Sequence, residues 1–101
     1  MSRKALSSEI ADNITELKKL KAKNPGRRLT NRLQDMYDAL HQAQGKEWDE
    51  QVDKYREAKK ALDKAKEAAQ LALNDLAKTA EAIEKSAQAF KTVLAALALV
   101  S

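Results

Sequence analysis

Residues 46–101 read KEWDEQVDKYREAKKALDKAKEAAQLALNDLAKTAEAIEKSAQAFKTVLAALALVS and contain neither glycine nor proline. Every seventh residue from Trp48 onward is apolar, at eight successive positions. A strict seven-residue repeat is typical of a helix that supercoils against partner helices. We therefore predict one long coiled-coil-like helix over about residues 46–100, roughly 80 Å long at about 1.5 Å per residue. The apolar row of this seam comprises Trp48, Tyr55, Leu62, Ala69, Leu76, Ile83, Phe90 and Leu97.

A second row of the seam, four residues after the first, is mixed. It contains Lys59 and Lys66, which predict a wetter helix contact in the N-terminal half of the long helix. The best candidate for an interruption is Asn74-Asp75, since both residues favour helix starts. The heptad register passes through this pair unshifted, so we prefer one helix to two. Alanines on both flanks of the seam would let neighbouring helices approach closely, which favours a bundle.

Two shorter helices precede the long one. Apolar residues at spacings of three and four predict an amphipathic helix over about residues 5–22 and a second over about 28–44. Asn24-Pro25-Gly26 separates them, and proline cannot continue the helical hydrogen-bond ladder. A connection this short predicts an antiparallel hairpin. The fold class predicted is thus all-α, with an N-terminal hairpin followed by one long helix, assembled into an oligomeric helical bundle.

The lengths of these elements lead to a prediction about assembly. Each hairpin helix would be about 27 Å long, so the hairpin would cover only part of the long helix. From Ala87 onward the uncovered part is apolar nearly all round, with Lys91 as its single charge. Such a helix needs cover from a second copy (a dimer is favoured), a helical partner protein or a membrane surface. The predicted interface residues are Leu76, Ile83, Phe90, Val93, Leu94 and Leu97.

Positive charge is concentrated around the first turn. Residues 18–32 carry seven basic side chains and no acidic one, whereas the remaining 12 basic and 15 acidic residues leave the rest of the chain at −3. This segment is either a solvated hairpin end or an anion-binding surface for an acidic protein, an anionic membrane or a nucleic acid. Nucleic acid is less favoured, because the segment has no aromatic residue on which a base could stack. The candidate residues are Lys18, Lys19, Lys21, Lys23, Arg27, Arg28 and Arg32.

The amino-acid composition gives little support for catalytic activity. The chain has one histidine and no cysteine, which leaves no nucleophile–base pair of the usual kinds. Asp38 and His41 are spaced like one of the two carboxylate–histidine pairs of a helical dinuclear metal motif, but a second such pair is missing. No glycine-rich phosphate loop occurs. We expect no catalytic residue, no metal and no cofactor.

The N-terminus has no apolar core of a secretory signal, and the longest apolar run, 93–100, is shorter than the ~20 residues of a spanning helix. These features and the absence of cysteine predict a soluble cytoplasmic protein, with non-classical secretion left open. The predicted function is a non-enzymatic helical interaction or assembly protein, such as a chaperone, adaptor or structural subunit. Two alternatives remain: a membrane-active toxin or effector that uses the apolar C-terminal helix, and a nucleic-acid-binding protein that uses residues 18–32.

Overall fold

The computed structural model describes residues 6–44 and 53–98, and their backbone is helical apart from short turns. The all-α prediction is confirmed for this part of the chain. The elements are α1 (Leu6–Lys23), α2 (Arg27–Ala43), α3 (Asp53–Asn74), a short 3-10 turn (Leu76–Lys78) and α4 (Thr79–Ala98).

The turn between α1 and α2 lies at residues 24–26. The amide of Asn24 donates the last helical hydrogen bond of α1, to the carbonyl of Leu20 at 2.8 Å. Gly26 is extended, with φ −175°, and its carbonyl accepts from both the amide and the hydroxyl of Thr30, at 3.2 and 3.1 Å. These bonds satisfy groups at the helix ends that would otherwise lack partners.

The prediction of one continuous helix is wrong in the described residues, because the chain leaves the helical path at Asp75. Its backbone is extended, with φ −145° and ψ 98°, and its side chain accepts a hydrogen bond from the amide of Ala77 at 3.1 Å. An aspartate in this position caps the start of the following helix. The hydroxyl of Thr79 then donates to the carbonyl of Leu76 at 2.7 Å. Trp48, Val52 and the predicted ends of the long helix lie outside the described residues.

Two helical hairpins pack side by side to form the bundle. α1 contacts α2 and α3, while α4 contacts α3 and α2. α1 and α3 run parallel, since the Asn13 amide group donates to the carbonyl of Leu62 at 3.1 Å and the ammonium group of Lys23 lies 3.5 Å from the carbonyl oxygen of Leu73. At the same end, the Asn24 amide group donates to the Thr79 hydroxyl at 3.0 Å. The two turns, 24–26 and 75–78, therefore lie together at one end of the bundle.

This arrangement corrects the prediction that the first two helices are too short to cover the third. Once the chain folds back at Asp75, α3 and α4 are each about as long as α1 and α2, and the molecule measures 37 × 25 × 19 Å. The apolar side chains of α4 then meet α2 and α3 of the same chain. Hydrophobic burial favours this closure, because it removes from water the apolar stripe that a straight helix would expose.

The second row of the seam contains no buried residue in the described part of the chain. Lys59 is exposed and Lys66 is partly exposed, so neither lies in the core. Alanines occupy the core instead, three residues after the apolar row in α3 and one residue before it in α4, and small side chains allow α3 and α4 to pack closely. The fully buried alanines of this helix pair are Ala58, Ala65, Ala69, Ala72, Ala82, Ala89 and Ala96.

Candidate functional site

The six residues predicted as a partner interface do not form one exposed surface. Ile83, Val93 and Leu97 are buried in the chain's own core, and Phe90 packs against that core. Leu94 is partly buried as well. Leu76 alone of the six is exposed, by 43%, in the turn between α3 and α4. The uncovered face that suggested this interface is therefore absent from the described bundle.

The basic segment, in contrast, remains on the surface. Its four lysines lie on α1 and its three arginines lie on α2, on either side of the turn at 24–26. Lys21 and Arg32 are partly buried, and the other five are exposed. All seven therefore lie on the α1–α2 hairpin, towards the end of the bundle that carries both turns. We call the surface of residues 18–32 the basic end.

Two charges of the basic end are paired with acids that lie just outside it. The ammonium group of Lys19 is 3.4 Å from a carboxylate oxygen of Glu16, and the guanidinium group of Arg32 is 3.0 Å from a carboxylate oxygen of Asp35. Arg27 and Arg28 are exposed in the first turn of α2, which contains no acidic residue. The partial positive charge of a helix N-terminus adds to theirs. Two arginines at the N-terminus of α2 destabilise the helix, and they strengthen the positive potential of the basic end.

A groove of about 490 Å³ lies between α1 and α2 on the basic end. Lys18 and Lys21 line it from α1, and Leu33 and Tyr37 line it from α2. Tyr37 is 46% exposed, so part of its ring is accessible to a ligand in the groove. Sequence reasoning missed Tyr37 as a site residue, although its place off the apolar stripe of α2 was a usable signal. The remaining lining residues are Ala22, Pro25, Thr30 and Gln34.

A second groove, of about 310 Å³, lies between α3 and α4 and has a different lining. Lys60, Lys64 and Lys85 line it together with Glu57, so three basic groups accompany one acidic group there. The rest of its lining is Ala61, Gln88 and Thr92, and no leucine or aromatic residue contributes. The combination of lysines with large apolar side chains thus distinguishes the α1–α2 groove.

The structure brings no metal-binding set together in ranges 6–44 and 53–98. Asp38 and His41 are both exposed on α2, and no three histidine, cysteine, aspartate or glutamate residues converge in the described part of the chain. None of the helices within those ranges has the length and hydropathy needed to cross a bilayer.

Comparison with known proteins assigns no family. No protein-family model, curated protein or solved structure matches this chain.

Proposed function

We propose that this chain is a non-enzymatic helical interaction protein that binds an acidic segment of a partner protein through the α1–α2 groove and the basic end. The observation that carries the proposal is the groove, where Lys18 and Lys21 stand beside the exposed ring of Tyr37. Such a surface offers apolar contact and positive charge to the same ligand.

The concentration of positive charge on the basic end indicates an acidic ligand. The basic end bears all of the chain's excess positive charge, and Arg27 and Arg28 have no ion pair with any described residue. Concentrated charge of one sign speeds the encounter with a partner of the opposite sign and disfavours partners of like charge. The expected ligand is therefore acidic.

The apolar lining of the α1–α2 groove favours a protein ligand over a nucleic acid. Ala22, Pro25 and the ring of Tyr37 are exposed and offer apolar surface that phosphates cannot use, whereas an amphipathic helix lays apolar side chains into such a groove. Tyrosine is also enriched where interfaces gain most of their binding energy. A groove between two antiparallel helices suits a third helix, since packed helices lie about 8–10 Å apart.

The experiment uses a synthetic helical peptide with leucines on one face and glutamates on the other. Binding is followed by ¹⁵N chemical shifts of the full chain, with a peptide of the same composition in scrambled order as the control ligand. We expect shifts at residues 18–37, tighter binding of the amphipathic peptide, and weaker binding as salt rises.

Charge reversal locates the site. Lys18→Glu together with Lys21→Glu should weaken binding at least tenfold, and Tyr37→Ala should weaken it by a similar factor, about 1–2 kcal/mol. Lys60→Glu together with Lys64→Glu is the matched control, because it reverses two exposed lysines at the other groove. Equal losses from both pairs would refute the proposal, as would equal affinity for the two peptides. Stronger binding to duplex DNA or to phosphatidylserine vesicles than to the peptide would reassign the basic end to nucleic acid or to membrane.

A further inference from the structure

Most of the buried residues of α3 and α4, 11 of 15, follow one heptad register, even though a turn separates the two helices. The register consists of the apolar row and the residues three positions after each of its members. Of the thirteen register positions between residues 55 and 97, eleven are buried and Phe90 is partly buried. Leu76 is the single exposed member. The two helices thus have the pattern of one continuous helix that has been folded at Leu76.

The turn itself requires no residue that a helix would reject. Glycine and proline are absent from residues 46–101, and Leu76, Ala77 and Lys78 are good helix formers. The side-chain cap of Asp75 and the Thr79 hydroxyl bond hold the turn locally. A hinge that is held by a few hydrogen bonds between strong helix formers is the kind of connection through which chains exchange elements.

We propose that the turn at residues 75–78 straightens in a second form of the protein, and that two chains then exchange α4. Each chain forms one helix over residues 53–98, about 70 Å long, and each α4 takes the place of its counterpart in the other chain's bundle. The partner is a second copy of this chain. Almost every core contact of α4 is re-formed in the exchanged dimer, so the difference between the two forms lies mainly in the hinge.

Leu76 favours the dimer. In the folded hairpin its side chain is 43% exposed at the turn. In the straight helix it lies at a seam position between Ala72 and Thr79, both of which are buried. The two long helices are antiparallel and related by a twofold axis, so the hinge of one lies against the hinge of the other. The two Leu76 side chains therefore meet and bury each other.

Substitutions in the hinge separate the two forms. Asp75→Ala removes the cap of the folded turn and adds a good helix former, so the fraction of dimer should rise by a factor of about ten. Leu76→Pro should abolish the dimer, because proline breaks a continuous helix but is favoured in the first position after a cap. The extended backbone of Asp75 is also the conformation that a following proline prefers.

A matched pair of charge substitutions tests the role of Leu76. Leu76→Lys places two ammonium groups against each other in the dimer and leaves the monomer nearly unaffected, so the dimer should be lost. Leu71→Lys is the control, since Leu71 is 53% exposed and lies off the heptad register. This control should leave the fraction of dimer unchanged.

The assay is light scattering coupled to size-exclusion chromatography, after refolding from denaturant at low and high protein concentration. The absence of native cysteine allows the exchange itself to be detected. Chains that carry only Lys64→Cys are refolded with chains that carry only Lys85→Cys, two positions that line the same groove between α3 and α4. Exchange brings position 64 of one chain to position 85 of the other, and mild oxidation then links them.

The expected result is a dimer that Asp75→Ala enriches, that Leu76→Pro and Leu76→Lys remove, and that cross-links between positions 64 and 85. A dimer that survives Leu76→Pro, or one that gives no such cross-link, would show a different interface and overturn the proposal. A chain that stays monomeric at every concentration, even with Asp75→Ala, would overturn it as well. The peptide experiment on the α1–α2 groove is independent of these outcomes.

Discussion

Replacing Ser86 with alanine is expected to stabilise the bundle. Ser86 lies in the middle of α4 with 0% of its surface exposed, and its hydroxyl has no hydrogen-bond partner among the described residues. A polar group that is buried without a partner loses its bonds to water and gains nothing in return. Alanine removes that group and leaves the rest of the side chain in place.

The magnitude follows from two terms of the same sign. A buried hydroxyl without a partner costs about 1–3 kcal/mol, and serine is a slightly poorer helix former than alanine, by less than ~0.7 kcal/mol. Loss of one oxygen atom leaves a small void that offsets part of the gain. The net expectation is an increase of about 1–2 kcal/mol in the free energy of unfolding.

Urea denaturation monitored by circular dichroism measures this change, and thermal unfolding should show a rise of about 4–8 °C per kcal/mol. Two further variants separate burial from helix propensity. Ala89→Ser adds a hydroxyl at an equally buried position of α4, whereas Ala95→Ser adds one at an exposed position of the same helix. Ala89→Ser should therefore be clearly the more destabilising of the two. If Ser86→Ala lowered stability instead, the hydroxyl would have a partner and the reasoning would be refuted.

Three further substitutions and one control, Leu71→Ala, test the packing of the hairpins. Leu17→Ala should cost about 2–5 kcal/mol of unfolding free energy, because Leu17 is fully buried, whereas Leu71→Ala at an exposed position should change it by less than ~0.5 kcal/mol; equal effects in urea denaturation would contradict the core described here. Asn13→Ala should cost at most about 1.5 kcal/mol, because it loses the bond to the Leu62 carbonyl but also removes a buried carboxamide oxygen that has no partner among the described residues; a loss above about 3 kcal/mol would show that this oxygen has a partner. Lys66→Ala should cost less than ~1 kcal/mol, since its 3.9 Å pair with Asp12 is about one-third exposed; a larger loss in the same assay would indicate a stronger contact.

Much of the fold could be read from local patterns. Proline and glycine at positions 25 and 26 interrupt the helix. Apolar residues at spacings of three and four show which face of each helix is buried. The concentration of charge in residues 18–32 could also be predicted, because these residues lie close together in the sequence. The groove beside it was not, since Tyr37 and Lys18 come together only when α2 folds back along α1.

The break at Asp75 was the principal error, and its cause is general. A heptad repeat states which side of a helix is buried but not what buries it, so a straight helix in an oligomer and a folded hairpin satisfy the same pattern. Asn74 and Asp75 are compatible with either form, since both residues occur within helices and at their starts. The choice depends on whether α1 and α2 can cover two short helices, which is a property of the whole bundle.

The sequence by itself determined the all-helical class, the turn after α1, the apolar seam and the basic segment, because each depends on neighbouring residues or on a fixed period. Tertiary structure alone decided that Asp75 ends a helix, that alanines and not Lys59 or Lys66 complete the core, and that the predicted interface lies mostly inside. Those outcomes depend on contacts between residues far apart in the chain, because α3 and α4 bury their apolar residues against each other and against α1 and α2.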